Sequence, residues 1–154
     1  MIRELGKVPP QSEDSELAVL GIILTYPDAI NDITEILSPE TFYRKAHQLI
    51  FESALTVFKK IGKIDLITVT NELRNNDNLE SIGGPLYITK LCNTSMSVSM
   101  LEHYALIIKQ KYLQREYIRV GTEIQNLSFD DMNDVSDIVQ FAEMNLLQIS
   151  DKIH

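Results

Sequence analysis

The chain has 154 residues, which is enough for one ordinary domain with an appendage but too few for two full domains. Apolar residues make up 44% of it and charged residues 23%, a composition typical of globular proteins and not of disordered ones. Asp and Glu outnumber Lys and Arg by 22 to 14, and the cations form no cluster, which argues against a protein that grips nucleic acid through its phosphates.

Two further features bear on the compartment. Cys92 is the one cysteine, so no internal disulfide can form, and the N-terminal residues lack the apolar segment of a signal peptide. No apolar run reaches membrane-spanning length. We therefore expect a soluble, cytoplasmic protein without a membrane partner.

The chain begins with a predicted extended arm over residues 1–11, because Pro9 and Pro10 disfavour helix. Ser12 is a good N-cap for a first helix. A short second helix is predicted over residues 30–37, and a third over Pro39–Ile61.

Turn residues delimit the next two helices. Gly62 ends the third helix, and Asp65 is a suitable cap for a fourth over residues 66–75. Gly83 and Gly84 predict a turn, and the proline that follows them favours the start of a fifth helix.

The stretch 100–127 is the longest without a proline and predicts a long helix whose stripe is Leu106, Leu113, Tyr117, Val120, Ile124 and Leu127. A short acidic connection over 128–134 leads to a second helix, for which Asp134 is the expected cap. Its stripe is Val135, Ile138, Val139, Ala142, Leu146 and Ile149. Because the connection is short, we expect an antiparallel hairpin whose two stripes face each other.

The predicted hairpin has more apolar surface than its own pairing uses. Phe141, Met144 and Leu147 lie off the stripe of the second helix, and Ile118 lies off the stripe of the first. A second copy of the hairpin would cover these four residues in an intermolecular four-helix bundle. The alternative is that this side folds back onto the rest of the chain.

The expected fold is therefore all-α, with a compact multi-helix head followed by a protruding antiparallel helical hairpin. We place the arm at 1–11, the head at 12–99, the hairpin at 100–150 and the start of a linker at 151–154.

Residues that could carry chemistry are scarce. His47, His103 and His154 have no partner at zinc-ligand spacing, and no phosphate loop or nucleophile elbow occurs. His47 has the spacing of its apolar neighbours, which favours a buried, hydrogen-bonded side chain over a metal ligand. We expect no catalytic, cofactor or metal site, and so no enzyme activity for this stretch alone.

Four blocks of sequence together resemble the N-terminal domain of the DnaB-type replicative DNA helicases of bacteria. The blocks are PPQSEDSELAVLG (9–21), FYRKAHQLIFESA (42–54), IDLITVTNEL (64–73) and LESIGGPLYITKL (79–91). The resemblance covers residues 9–150, and the order and spacing of the blocks are more specific than any one block. Ala46 departs from it, since members often have proline just before the histidine.

This resemblance implies the collar domain of a hexameric, ATP-dependent helicase that serves oligomerisation and primase docking in the primosome. It implies pairing with other copies, as a dimer or a trimer of dimers, and docking of the primase C-terminal domain. ATP and Mg²⁺ would bind in a motor domain absent here, and DNA would be contacted only through the full-length helicase. We expect Tyr104, Ile108, Tyr112 and Ile149 to be exposed at the base of the hairpin and to meet the primase.

Two other functions remain open at this point. The chain could be a dimerising helical adaptor unrelated to replication, which would not bind a primase. It could also contact DNA directly through its few cations, which a steep salt dependence of single-stranded DNA binding would reveal.

Overall fold

The computed structural model describes residues 7–94 and 96–153, and every regular element in this part of the chain is helical. Residues 1–6 of the predicted arm, and His154, lie outside the described residues. The α-helices are α1 (Glu13–Thr25), α2 (Lys45–Ile61), α3 (Leu66–Asn75), α4 (Gly84–Cys92), α5 (Leu101–Phe129) and α6 (Val135–Ile153). The all-α prediction is confirmed. Among the described helices, none combines the length and apolar character needed to cross a bilayer.

The chain divides into two compact units. The core unit is Gln11–Gln110, and the hairpin unit consists of the described residues of Met1–Pro10 and Lys111–His154. The predicted boundary lay at residues 99 and 100, but the division falls inside α5, because Leu101, Ala105 and Ile108 belong to the hydrophobic cluster of the core unit. The functional division into arm, head, hairpin and linker stays a prediction.

Helix α1 is the centre of the core unit. Its residues from Ala18 to Leu24 are all buried, and the helix packs against α2, α3 and α4. Gly21 permits this packing, because a Cβ there would lie 2.6 Å from the carbonyl oxygen of Leu91 in α4. The predicted cap is confirmed: the Ser12 side chain accepts a hydrogen bond from the backbone N–H of Ser15.

The predicted second helix, over residues 30–37, is a shorter 3₁₀ helix, Ala29–Ile33. A 3₁₀ helix has three residues per turn, so Ile30 and Ile33 point the same way, and both are fully buried.

The predicted third helix, Pro39–Ile61, begins later than expected. Pro39–Thr41 form one 3₁₀ turn, and α2 starts at Lys45 after extended backbone at Phe42. The Glu16 side chain accepts a hydrogen bond from the backbone N–H of Tyr43 at 2.8 Å. A carboxylate from α1 thus satisfies an amide that a continuous helix would have bonded internally.

The turns around α3 and α4 are as predicted. Gly62 ends α2 in the left-handed region (φ 88°), and its N–H donates to the carbonyl oxygen of Phe58. Asp65 caps α3 in a capping box with Thr68, and these hydrogen bonds hold the pKa of Asp65 below its usual value. Gly83 adopts φ 111° just before α4.

The two predicted long helices are confirmed as α5 and α6, joined by residues 130–134. Helix α6 runs to Ile153, so the predicted linker start at 151 is still helical.

Candidate protein-interaction surface

The polar side chains buried inside the core unit form hydrogen bonds that hold its helices together. His47 is fully buried; its Nδ1 lies 2.7 Å from Glu16 Oε1 and its Nε2 lies 2.6 Å from the Tyr87 hydroxyl oxygen. Burial raises the pKa of Tyr87 above its usual value. The predicted buried, hydrogen-bonded histidine is confirmed, and this network joins α1, α2 and α4.

Among the described residues there is no group of three or more His, Cys, Asp or Glu side chains that could hold a metal ion. Cys92 is half-buried, and burial raises its pKa, so its thiol stays protonated at neutral pH.

In the hairpin unit, the last turn of α6 is tied to α5. Lys152 Nζ donates to the Tyr112 hydroxyl at 3.0 Å and to Glu116 Oε1 at 3.3 Å. Arg119 pairs with the same Glu116 carboxylate at 3.2 Å. Burial raises the pKa of Glu116, but hydrogen bonds and charges from Arg119 and Lys152 outweigh it, so the pKa is lowered. This cluster fixes the end of α6 against α5.

The N-terminal residues of the hairpin unit are held nearby. Arg115 Nη1 donates to the carbonyl oxygen of Pro10 at 2.8 Å, and its guanidinium carbon lies 5.9 Å from the centre of the Tyr112 ring. The buried Tyr112 thus contacts both Lys152 of α6 and Arg115, which holds Pro10.

The apolar residues of α6 differ in how exposed they are. Ile149 is buried, and three other apolar residues are half-buried: Ile138, Phe141 and Ala142. A second set is exposed and follows steps of four, seven and seven residues, a repeat that keeps side chains on one side of a helix: Val135, Val139, Leu146 and Ile153, called the α6 stripe below. Val135 is 70% exposed and Leu146 42%. An apolar row of this length is unusual on a free surface and indicates an interaction site.

Charge is distributed unevenly along the hairpin unit. From residue 120 to residue 151 the sequence contains no Lys, Arg or His but seven acidic residues: Glu123, Asp130, Asp131, Asp134, Asp137, Glu143 and Asp151. Such a surface repels phosphates, which disfavours direct DNA binding at this end. The cations that α5 and α6 contribute to the unit lie towards the end opposite the 130–134 connection, called its base below: Lys111, Arg115, Arg119 and Lys152.

The predicted dimer residues are only partly available. Met144 is 53% exposed and Leu147 63%, whereas Ile118 and Phe141 are half-buried. These four residues therefore do not form the open far side that the sequence suggested, although their role in self-association stays a prediction.

The predicted primase-contact residues are mostly inside the protein. Ile108, Tyr112 and Ile149 are buried, and half-buried Tyr104 places its hydroxyl 4.0 Å from the Met96 sulfur. The expectation that they are exposed is wrong, because this side of α5 is its packing side. Contact with a primase is untested.

The stripe predicted for α5 also needs correction, since Leu106 and Tyr117 are 51% and 44% exposed. Its first turns bury the opposite set, Leu101, Ala105, Ile108 and Tyr112. The helix changes its buried side along its length, which one periodic stripe cannot represent. On α6, the predicted stripe mixed the buried Ile149 with the exposed Leu146.

Comparison with known proteins gives consistent results. Residues 8–110 match the model of the DnaB-like helicase N-terminal domain. The chain is 35% identical to the replicative DNA helicase DnaC of Bacillus subtilis over 95% of its own length, and 36% identical to the replicative DNA helicase DnaB of Geobacillus stearothermophilus over 96%. It covers 32% and 33% of these relatives, so it spans about a third of their length.

Two solved structures are similar. The crystal structure of the N-terminal domain of DnaB helicase from Mycobacterium tuberculosis superposes with a TM-score of 0.86 and 32% identity, covering 92% of this chain and 99% of that one. A structure of a DnaB-like replicative helicase, described with its interactions with primase, gives a TM-score of 0.74 and 25% identity over 92% of this chain and 31% of that one.

Proposed function

The chain belongs to the family of DnaB-like helicase N-terminal domains, and from this membership we propose that it is the collar domain of a hexameric, ATP-dependent replicative DNA helicase. Its tasks are self-association and docking of primase during DNA replication in the cytoplasm. The 154 residues contain no phosphate loop, so ATP and Mg²⁺ belong to a motor domain of the whole helicase.

The observation that carries this proposal is the exposed α6 stripe. Four apolar side chains in one row, Val135, Val139, Leu146 and Ile153, remain uncovered by the chain itself. A second copy offers the same row, and a two-fold axis brings two identical rows together without any further surface. Burying them would supply the hydrophobic driving force for pairing.

Charge selects the direction of pairing. In a parallel pair, the seven acidic residues of 120–151 would lie beside the same seven of the other copy. In an antiparallel pair, they approach the cationic base of the partner, where Arg119 and Lys152 are 48% and 40% exposed. We therefore propose an antiparallel pair of hairpin units as the building block of a trimer of dimers.

Adjacent leucines allow a matched test. Leu146→Glu puts a charge into the α6 stripe, whereas Leu147→Glu puts the same charge one residue away, at one of the four dimer residues that the sequence predicted. We expect light scattering over a concentration series to give a dimer or larger species for the wild type and Leu147→Glu, and a monomer for Leu146→Glu. Far-UV circular dichroism checks that all three are equally helical.

The reverse result, with Leu147→Glu alone dissociated, would assign pairing to Met144 and Leu147 and refute the α6 stripe. If both variants assemble like the wild type, the hairpin unit does not carry the pairing.

Primase docking is tested separately. We propose that the primase C-terminal domain docks beside Tyr104 on the exposed side of the first turns of α5, where Leu106 is 51% exposed. Leu106→Glu should weaken binding of that domain at least about tenfold, a loss typical of a charge placed in an apolar contact. Ile61→Glu, at another exposed apolar position, is the control and should bind normally. A chain that dimerises but takes up no primase domain would favour the unrelated adaptor.

A further inference from the structure

The core unit carries an uncovered groove between α3 and α4. Its volume is about 270 Å³, and α3 contributes Leu66, Ile67, Thr70, Asn71 and Arg74 while α4 contributes Pro85 and Thr89. Ile67 is 66% exposed, and Leu86, next to the groove residue Pro85, is 83% exposed. The groove is therefore open to solvent and offers apolar side chains next to polar ones.

One cation stands in this groove. Arg74 Nη1 donates to Asn71 Oδ1 at 2.9 Å. Within the described parts of the chain, no carboxylate lies within ion-pair distance of the Arg74 guanidinium. A guanidinium in this state suits an occupant that brings a carboxylate together with an apolar anchor.

The tip of the hairpin unit offers both a carboxylate and apolar anchors. Phe129 and Met132 are 77% and 92% exposed, and two acidic residues, Asp130 and Asp131, stand between them. The backbone N–H of Met132 donates to Asp130 Oδ1 at 3.0 Å, which holds the segment in a turn. Both anchors and the free carboxylate of the turn thus project from one short segment.

We propose that the groove between α3 and α4 receives the tip segment 129–132 of a second copy of this chain, with an apolar anchor between the groove walls and Asp131 beside Arg74. Charge complementarity supports this occupant, because the tip lies in the stretch 120–151 that has seven acidic residues and no cation. Both surfaces are uncovered by their own chain, so both are available to another copy.

This contact differs in kind from pairing through the α6 stripe. It joins two different surfaces, so it is heterologous and adds copies until a ring closes. Because the buried patch is small, we expect it to act between copies that other contacts already hold close together.

A disulfide trap can detect such a weak contact. In a Cys92→Ser background, one copy carries Thr89→Cys at the groove and the other carries Ser128→Cys beside the tip; neither change removes an anchor or a charge. The two proteins are mixed at high concentration, oxidised and analysed by non-reducing electrophoresis and mass spectrometry. The control pair combines Thr89→Cys with Gln140→Cys, an exposed position on α6.

We expect the groove–tip pair to yield at least about tenfold more mixed disulfide than the control pair, since only close Cα atoms can be bridged. Arg74→Glu in the groove copy should lower this yield severalfold, and Asp131→Arg in the tip copy should restore it. Equal yields for the two pairs, or a yield unaffected by Arg74→Glu, would overturn the proposal. The disulfide reports this contact, whereas pairing through the α6 stripe is scored by solution mass, so the two can fail independently.

Discussion

Replacing Glu16 by alanine should destabilise the core unit strongly. Glu16 is 2% exposed, and its carboxylate accepts hydrogen bonds from the Tyr43 N–H and from His47. Its removal leaves the Tyr43 N–H and the buried His47 ring without their acceptor, at about 1–3 kcal/mol for each group and so about 4 kcal/mol together. This loss is a large fraction of the roughly 5–15 kcal/mol that stabilises an ordinary domain.

The same helix supplies a matched control. Glu13 pairs with Arg44 at 2.9 Å, but both side chains are about half-exposed, so Glu13→Ala should cost no more than about 1 kcal/mol. A third variant, Glu16→Gln, keeps an acceptor for the Tyr43 N–H while removing the charge, and we expect an intermediate loss.

Urea unfolding followed by far-UV circular dichroism measures these differences. With a slope of about 2 kcal/mol per molar urea, a loss of about 4 kcal/mol lowers the midpoint by about 2 M. Protein concentration must be equal for all variants, because self-association stabilises the folded state. If Glu16→Ala and Glu13→Ala lie within about 0.5 kcal/mol of each other, the buried network does not hold the helices together and the reasoning is refuted.

Three further outcomes follow from local geometry. Gly21→Ala should destabilise the folded chain by about 1–3 kcal/mol, because its Cβ would lie 2.6 Å from a backbone oxygen of α4. At Gly121 an added Cβ meets nothing within 4 Å, so Gly121→Ala should stabilise the chain by up to about 1 kcal/mol. Thermal unfolding compares the two variants. Asp65→Ala removes the cap of α3 and should cost about 1 kcal/mol in the same assay, with faster hydrogen exchange confined to the first turn of α3. Because the pKa of Glu116 is lowered in the folded state, its contribution to stability is present above its unfolded-state pKa and is lost as pH falls through the folded-state pKa. Glu116→Gln should therefore flatten the acid limb of the stability–pH curve. An unchanged limb would contradict the role assigned to Lys152.

Local signals in the sequence predicted most helix limits, because each depends on residues close in the chain. Ser12, Gly62 and Asp65 act through hydrogen bonds or backbone angles within a few residues, and the structure places them as expected. The start of α2 was missed for the opposite reason. It depends on Glu16, more than 25 residues earlier, and no local pattern reports such a partner.

The candidate interaction surface was harder to predict than the helices that carry it. Periodicity identifies an apolar row but does not say what covers it, so the buried Ile149 and the exposed Leu146 received the same assignment. Likewise, Tyr112 was expected at the surface, yet its ring is buried and its hydroxyl accepts a hydrogen bond from Lys152 in the last turn of α6. Only tertiary packing distinguishes these cases.

The two units also differ in how much they bury. The core unit contains a continuous cluster of fully buried side chains, whereas in the described hairpin unit the buried apolar residues are Tyr112, Val120 and Ile149. Few buried contacts mean low local stability, so the hairpin unit should open more readily than the core unit in hydrogen exchange. If a second copy covers the α6 stripe, association stabilises α6 against opening. Protection of the α6 amides from hydrogen exchange should then rise with protein concentration, while protection of the α1 amides stays constant. Protection of α6 that is independent of concentration would show that the hairpin unit is stable by itself and would remove the physical reason for pairing through it.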